Sequence, residues 1–111
     1  MTFSEPRNGV LVVTASGECG LAEAPRLEET LVELARSRSS REVLLDLCDL
    51  TYLDSSGIAA LWRANVVLDG AGCTLVLVSP SDAVRRVLRL TDLEKWLEVR
   101  ESAELPQLGP R

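Results

Sequence analysis

The stretch Leu44-Leu45-Asp46-Leu47-Cys48-Asp49-Leu50-Thr51-Tyr52-Leu53-Asp54-Ser55-Ser56-Gly57-Ile58 decides how the rest of the chain is read. Its first part continues an apolar run that opens at Val43, too uniformly aliphatic to leave a polar face, as in a strand buried within a sheet. Its last part turns polar and then resumes with helical spacing. Ile58, Leu61, Trp62, Asn65 and Leu68 recur three or four apart, and Asp69-Gly70-Ala71-Gly72 ends the pattern. The spacing predicts a strand over 43–47, a connection over 49–54 and a helix over about 56–68. Asp54 and Ser55 stand at the N-cap, where a short side-chain oxygen can accept from unpaired amides of the first turn. Trp62 is assigned to packing, beside the stripe of Ile58, Leu61 and Leu68.

Working outward, residues 10–14 are β-branched and aliphatic and are closed by the Ser16-Gly17 turn signal, so they read as a strand, with a weaker one over 2–4. Ala24, Leu27, Leu31, Leu34 and Ala35 form an amphipathic stripe opposite Arg26, Glu28, Glu29, Glu33 and Arg36, with Pro25 in the first turn. Ser37-Arg38-Ser39-Ser40 is a loop. Beyond the central helix, residues 74–78 give another strand. Ser79-Pro80-Ser81-Asp82 opens a helix that turns Val84, Val87 and Leu88 inward and Arg85, Arg86 and Arg89 to water. The three arginines read as a solvated face and Trp96 as a core residue. A last strand is expected near 97–99. Apolar strands alternating with helices imply an α/β fold, with a mixed, mainly parallel central sheet of four to five strands covered by helices.

A chain of 111 residues fits one domain that buries a core without disulfides or metals. The domain is expected over 1–104, and the tail 105–111, rich in proline and glycine without periodicity, is expected to fray. With 12 basic against 17 acidic side chains the net charge is −5, which repels nucleic acid and favours a protein partner. The longest apolar runs fall far short of the roughly 20 residues a membrane span needs, so no direct membrane insertion is expected. Residues 1–9 lack the basic start and apolar block of a signal peptide, so a cytoplasmic location is expected. Cys19, Cys48 and Cys73 are widely spaced and no histidine is present, so neither a disulfide framework nor a metal or other cofactor is expected. The cysteines read as small packing residues.

Polar residues gather between strand and helix only at Leu53-Asp54-Ser55-Ser56-Gly57-Ile58, the candidate site. A helix start exposes the Ser55 hydroxyl and tolerates an added anion, and Gly57 is expected to let another protein approach closely. Asp54 and Ser55 also read simply as an N-cap, a role that does not exclude switching. A serine hydrolase would need a base, but there is no histidine and Lys95, the only lysine, lies in a solvated stretch. Gly70-Ala71-Gly72 ends a helix before a strand, the reverse of a dinucleotide-binding loop.

From Val43 to Val99 the chain resembles the STAS family, in which an apolar strand leads into an Asp-Ser-Ser-Gly or Asp-Ser-Thr-Gly motif at a helix start; here the motif is Asp54-Ser55-Ser56-Gly57. Leu75-Val76-Leu77-Val78-Ser79-Pro80 through Val84, Leu88, Leu90, Thr91 and Leu93 resembles the family's closing strand, helix and turn, and Gly17-Glu18 its early Gly-Glu. The resemblance implies a single STAS-like domain and no enzymatic activity. It implies an anti-sigma factor antagonist whose phosphoacceptor is Ser55, with Asp54, Ser55, Ser56, Gly57 and Ile58 meeting the partner. That partner is an anti-sigma factor serine kinase, bound when Ser55 is unphosphorylated and released on phosphorylation, with a protein phosphatase restoring the cycle. The alternative is a STAS interaction module that no kinase touches, within a larger regulatory or membrane-associated assembly. One departure concerns the early motif. Many members follow Gly-Glu with an apolar residue and an aspartate that lies near the kinase, whereas this chain has Cys19 and Gly20. Glu18 and Glu23 are near but do not stand at the matching position.

Overall fold

The computed structural model describes residues 1–101; the expected domain limit at 104 and the tail 105–111 lie outside them. Five strands form one sheet in chain order: β1 (Thr2–Arg7), β2 (Val10–Cys19), β3 (Glu42–Leu53), β4 (Thr74–Val78) and β5 (Glu98–Arg100). β1 runs antiparallel to β2, and the other three pairs are parallel. The helices α1 (Ala24–Ser37), α2 (Ser55–Gly70) and α3 (Asp82–Leu90) fill the three crossovers. This is the mixed, mainly parallel α/β sheet that the alternation of patterns implies.

Strand alternation sorts the side chains. Leu11, Val13, Ala15, Val43, Leu45, Leu47, Leu75 and Leu77 form one cluster with the inward residues of all three helices: Leu27 and Leu31 of α1, Leu61, Ala64 and Leu68 of α2, Val84 and Leu88 of α3. Their strand neighbours Val10, Leu44, Val76 and Val78 form a second, smaller cluster with Val12. One main core therefore holds the helices to one face of the sheet.

The strands depart most from expectation at their ends. Ser16-Gly17, read as a turn, lies inside β2, because Gly17 takes φ +80° at a bulge and the pairing resumes beyond it at Glu18↔Tyr52 and Cys19↔Leu53. The Thr51 hydroxyl donates to the Gly17 carbonyl at 2.9 Å and pins this extension. Of the residues expected as a connection before α2, 49–53 are thus strand, and β2 and β3 run on as a pair past the last β3–β4 partners, Asp46 and Val78.

Both tryptophans also differ from the core assignment. Trp62 lies on the outer side of α2, 38% exposed, because Leu61, Ala64 and Leu68 already fill the inward stripe. Trp96 is more exposed still, at 71%, because Leu97 takes the inward position beside it. Cys19 and Cys73 are buried as expected of packing residues, whereas Cys48 is exposed.

Leu61 and Leu77 are fully buried on opposite sides of the helix–sheet interface. Truncating either to alanine is expected to lower stability by roughly 2–5 kcal/mol, read as a shift in the urea midpoint with unchanged slope. Unchanged stability at both would contradict this core.

Candidate functional site

The start of α2 is fixed from three directions. Asp54 is the N-cap, in extended conformation, and its Oδ1 accepts from the Ser56 amide at 2.9 Å and the Gly57 amide at 3.2 Å. Its own amide donates to the Cys19 carbonyl at 3.4 Å, tying the helix start to the end of β2. Gly57 presses against the same carbonyl: a Cβ there would lie 2.6 Å from the Cys19 oxygen, 3.2 Å from its sulfur and 2.4 Å from Leu53 Cδ1. Gly57 is therefore glycine for internal packing, which corrects the expectation that it opens the turn to another protein.

The five residues expected to meet a partner divide accordingly. Ser55 is exposed, Asp54 and Ser56 are half-buried, Gly57 is buried, and Ile58 is only 9% exposed and joins the core. The Ser55 hydroxyl makes no hydrogen bond among the described residues and lies along a shallow groove with Leu21, Pro25, Ala59 and Arg63, between the starts of α1 and α2. Arg63 is held there by Glu28 at 2.7 Å. A free hydroxyl on a rigid helix start suits enzymatic modification. Because Asp54 already occupies the Ser56 and Gly57 amides, a phosphate on Ser55 would add its charge to the surface beside a carboxylate instead of being absorbed by those donors.

The turn after β2 completes the neighbourhood. The Gly20 amide donates to Glu23 Oε1 at 2.9 Å, so the Glu23 side chain folds back over the turn. A Cβ on Gly20 would lie 3.1 Å from Asp54 Oδ2 and 3.6 Å from Glu23 Oε1. Glu23 thus brings a carboxylate to the space that position 20 faces, although three residues separate them in the chain. In the sequence the only sign of this is a glutamate three residues after Gly20. Burial raises the Cys19 thiol pKa, and the charges of Glu23 and Asp54 push it further in the same direction, so Cys19 packs as an unreactive thiol.

Among the described residues no group of three or more His, Cys, Asp and Glu could hold a metal ion, and no helix is long and apolar enough to cross a membrane.

Comparison with known proteins agrees with this architecture. The family model described as "Mlab, STAS domain" matches residues 3–101. The anti-sigma-B factor antagonist of Staphylococcus aureus is 27% identical over 93 residues, covering 84% of this chain and 85% of its own length. The crystal structure of an anti-sigma factor antagonist from Mycobacterium paratuberculosis superposes with a TM-score of 0.77 at 27% identity, over 89% of this chain and 82% of that one. The anti-sigma factor antagonist SpoIIAA in its unphosphorylated form superposes with a TM-score of 0.77 at 17% identity, over 96% and 94% of the two chains.

Gly57→Ala is expected to destabilise the domain by roughly 1–3 kcal/mol, since the new methyl meets a backbone carbonyl that cannot turn aside. Thermal unfolding checks this; a stability equal to the parent would mean that α2 does not seat on Cys19.

Proposed function

The chain belongs to the STAS-domain family, and on that premise we propose that it is an anti-sigma factor antagonist switched by phosphorylation of Ser55. Unphosphorylated, it binds an anti-sigma factor serine kinase and so frees a sigma factor. The kinase phosphorylates Ser55 and releases the protein, and a phosphatase resets it. The role is one of binding, with catalysis supplied by the partners.

The observation that carries this reading is the unbonded Ser55 hydroxyl, held on a helix start whose Ser56 and Gly57 amides Asp54 already caps. Phosphorylation adds about 1.5–2 negative charges next to Asp54 without disturbing the core. Like charges forced together in a protein interface cost several kcal/mol, enough to weaken binding by roughly a hundredfold. The contact face is Asp54, Ser55 and Ser56, with Gly57 and Ile58 holding them from beneath. Glu23 supplies the carboxylate beside Asp54 that position 20 lacks. The relatives named as anti-sigma factor antagonists support the assignment, as does the description of SpoIIAA in a phosphorylated as well as an unphosphorylated form.

A second reading, an interaction module that is never phosphorylated, draws support from Gly20, the one departure of the early motif. Variants at Ser55 separate the two. Ser55→Ala is expected to keep the fold and bind the cognate anti-sigma factor kinase as the parent does while accepting no phosphate. Ser55→Asp is expected to bind markedly more weakly, both measured by calorimetry and a phosphotransfer assay. Stoichiometric phosphate on Ser56 of Ser55→Ala would move the site by one residue, and equal binding by Ser55→Asp would favour the module.

A further inference from the structure

α2 is apolar on both of its sides. Of its 16 residues only Arg63 and Asp69 are charged, whereas α1, which likewise packs one side on the core, carries Arg26, Glu28, Glu29, Glu33 and Arg36 among 14. The inward side of α2 is Gly57, Ile58, Ala60, Leu61, Ala64 and Leu68. Opposite it, Ser55, Ala59, Trp62 and Val66 follow one another at steps of four, three and four, which stacks them in a single line along the outer face. Ala59 is half-buried, Trp62 is 38% exposed and Val66 52%. Asp69, one step further, closes the line at the far end of the helix.

The line is continuous with the site already described. Ser55, Ala59 and Arg63 share their groove with Pro25 and with Leu21, which is 79% exposed. Apolar surface therefore leads from Leu21 past Ser55 to Val66. At a rise of about 1.5 Å per residue, Val66 stands roughly 16 Å from Ser55 along the helix. A protein interface of ordinary size covers about 800 Å² on each partner, a disc of roughly the same radius. A protein whose contact centres on Ser55 thus reaches Val66 without exceptional size.

Resting on the reading of Ser55 given above, we propose that Ala59, Trp62 and Val66 are the apolar half of the surface that the Ser55-directed partner covers, and that they take an uncharged apolar segment of that partner laid along α2. Continuity with Ser55 selects this occupant. The line carries no charge between Ser55 and Asp69, and beside it the Arg63 guanidinium is held by Glu28, so nothing along it calls for a charged segment. Three side chains alone fall short of the area a stable dimer of this chain needs, and one paired cation does not hold a helix on lipid. Trp62, midway along the line, is the anchor. A phosphate on Ser55 then acts on this contact too, because it stands in line with Ala59 and Trp62 and has to lose its water when an apolar segment lies over it.

The test places a photoreactive phenylalanine analogue at position 21 or at position 66 of the full chain in its own cells, with position 3 as the control site. The expected result is one and the same protein captured from 21 and from 66 but not from 3, joined at 66 through a peptide of mostly apolar residues. With the analogue at 21, Trp62→Ser and Val66→Asp should each lower the yield about tenfold or more at unchanged melting temperature, and Ser55→Asp should do so from either position. Capture from 21 alone, different proteins at the two positions, lipid or a second copy of this chain at 66, or a yield indifferent to both Trp62→Ser and Val66→Asp would overturn the proposal and leave the switch at Ser55 standing. Capture of one protein from both positions that Ser55→Asp leaves unchanged would support the apolar contact and overturn the switch.

Discussion

The arrangement rests on the contact between Gly57 and the Cys19 carbonyl. At this point the first turn of α2 meets the end of β2 with no side chain between them, and the Asp54 amide donates to the same oxygen. The contact requires β2 and β3 to run on beyond the rest of the sheet, which the bulge at Gly17 allows. It also sets the direction in which Ser55 points. A helix seated on backbone has little freedom to tilt, so the hydroxyl is presented from a rigid platform.

Capping and switching then become two uses of one segment. The Asp54 carboxylate satisfies two amides at the helix start, which stabilises α2 and leaves the adjoining serine unbonded. With those donors occupied, added negative charge at Ser55 acts outward, on whatever approaches the surface. Glu23, folded back onto the Gly20 amide, adds a further carboxylate to that surface. The chemistry is electrostatic throughout, consistent with a chain that has no histidine.

Much of this is legible in the sequence, for reasons that differ from residue to residue. The strands and helices follow from period-two and period-3.6 apolar patterns, which report burial directly. Asp54 is legible as a cap because its short acceptor stands just before the first apolar helical position. Gly17 is less legible, since a positive φ serves a turn or a bulge and only the pairing with β3 decides between them. The packing role of Gly57 depends on a carbonyl 38 positions earlier, and no local pattern records it. Trp62 and Trp96 mislead because aromatic character states that a side chain prefers burial, not that the core has room for it. The arginines of α3 read as a solvated face, and Arg86 and Arg89 are exposed.

The central claim is that Ser55 is the residue whose modification changes what the protein binds. The most direct measurement is intact-mass and peptide mass spectrometry of the protein recovered from its own cells across growth and stress conditions. The account predicts a single phosphoryl group, on Ser55, whose occupancy changes with conditions. A chain that stays unmodified in every condition, or one phosphorylated elsewhere with Ser55 free, would contradict it.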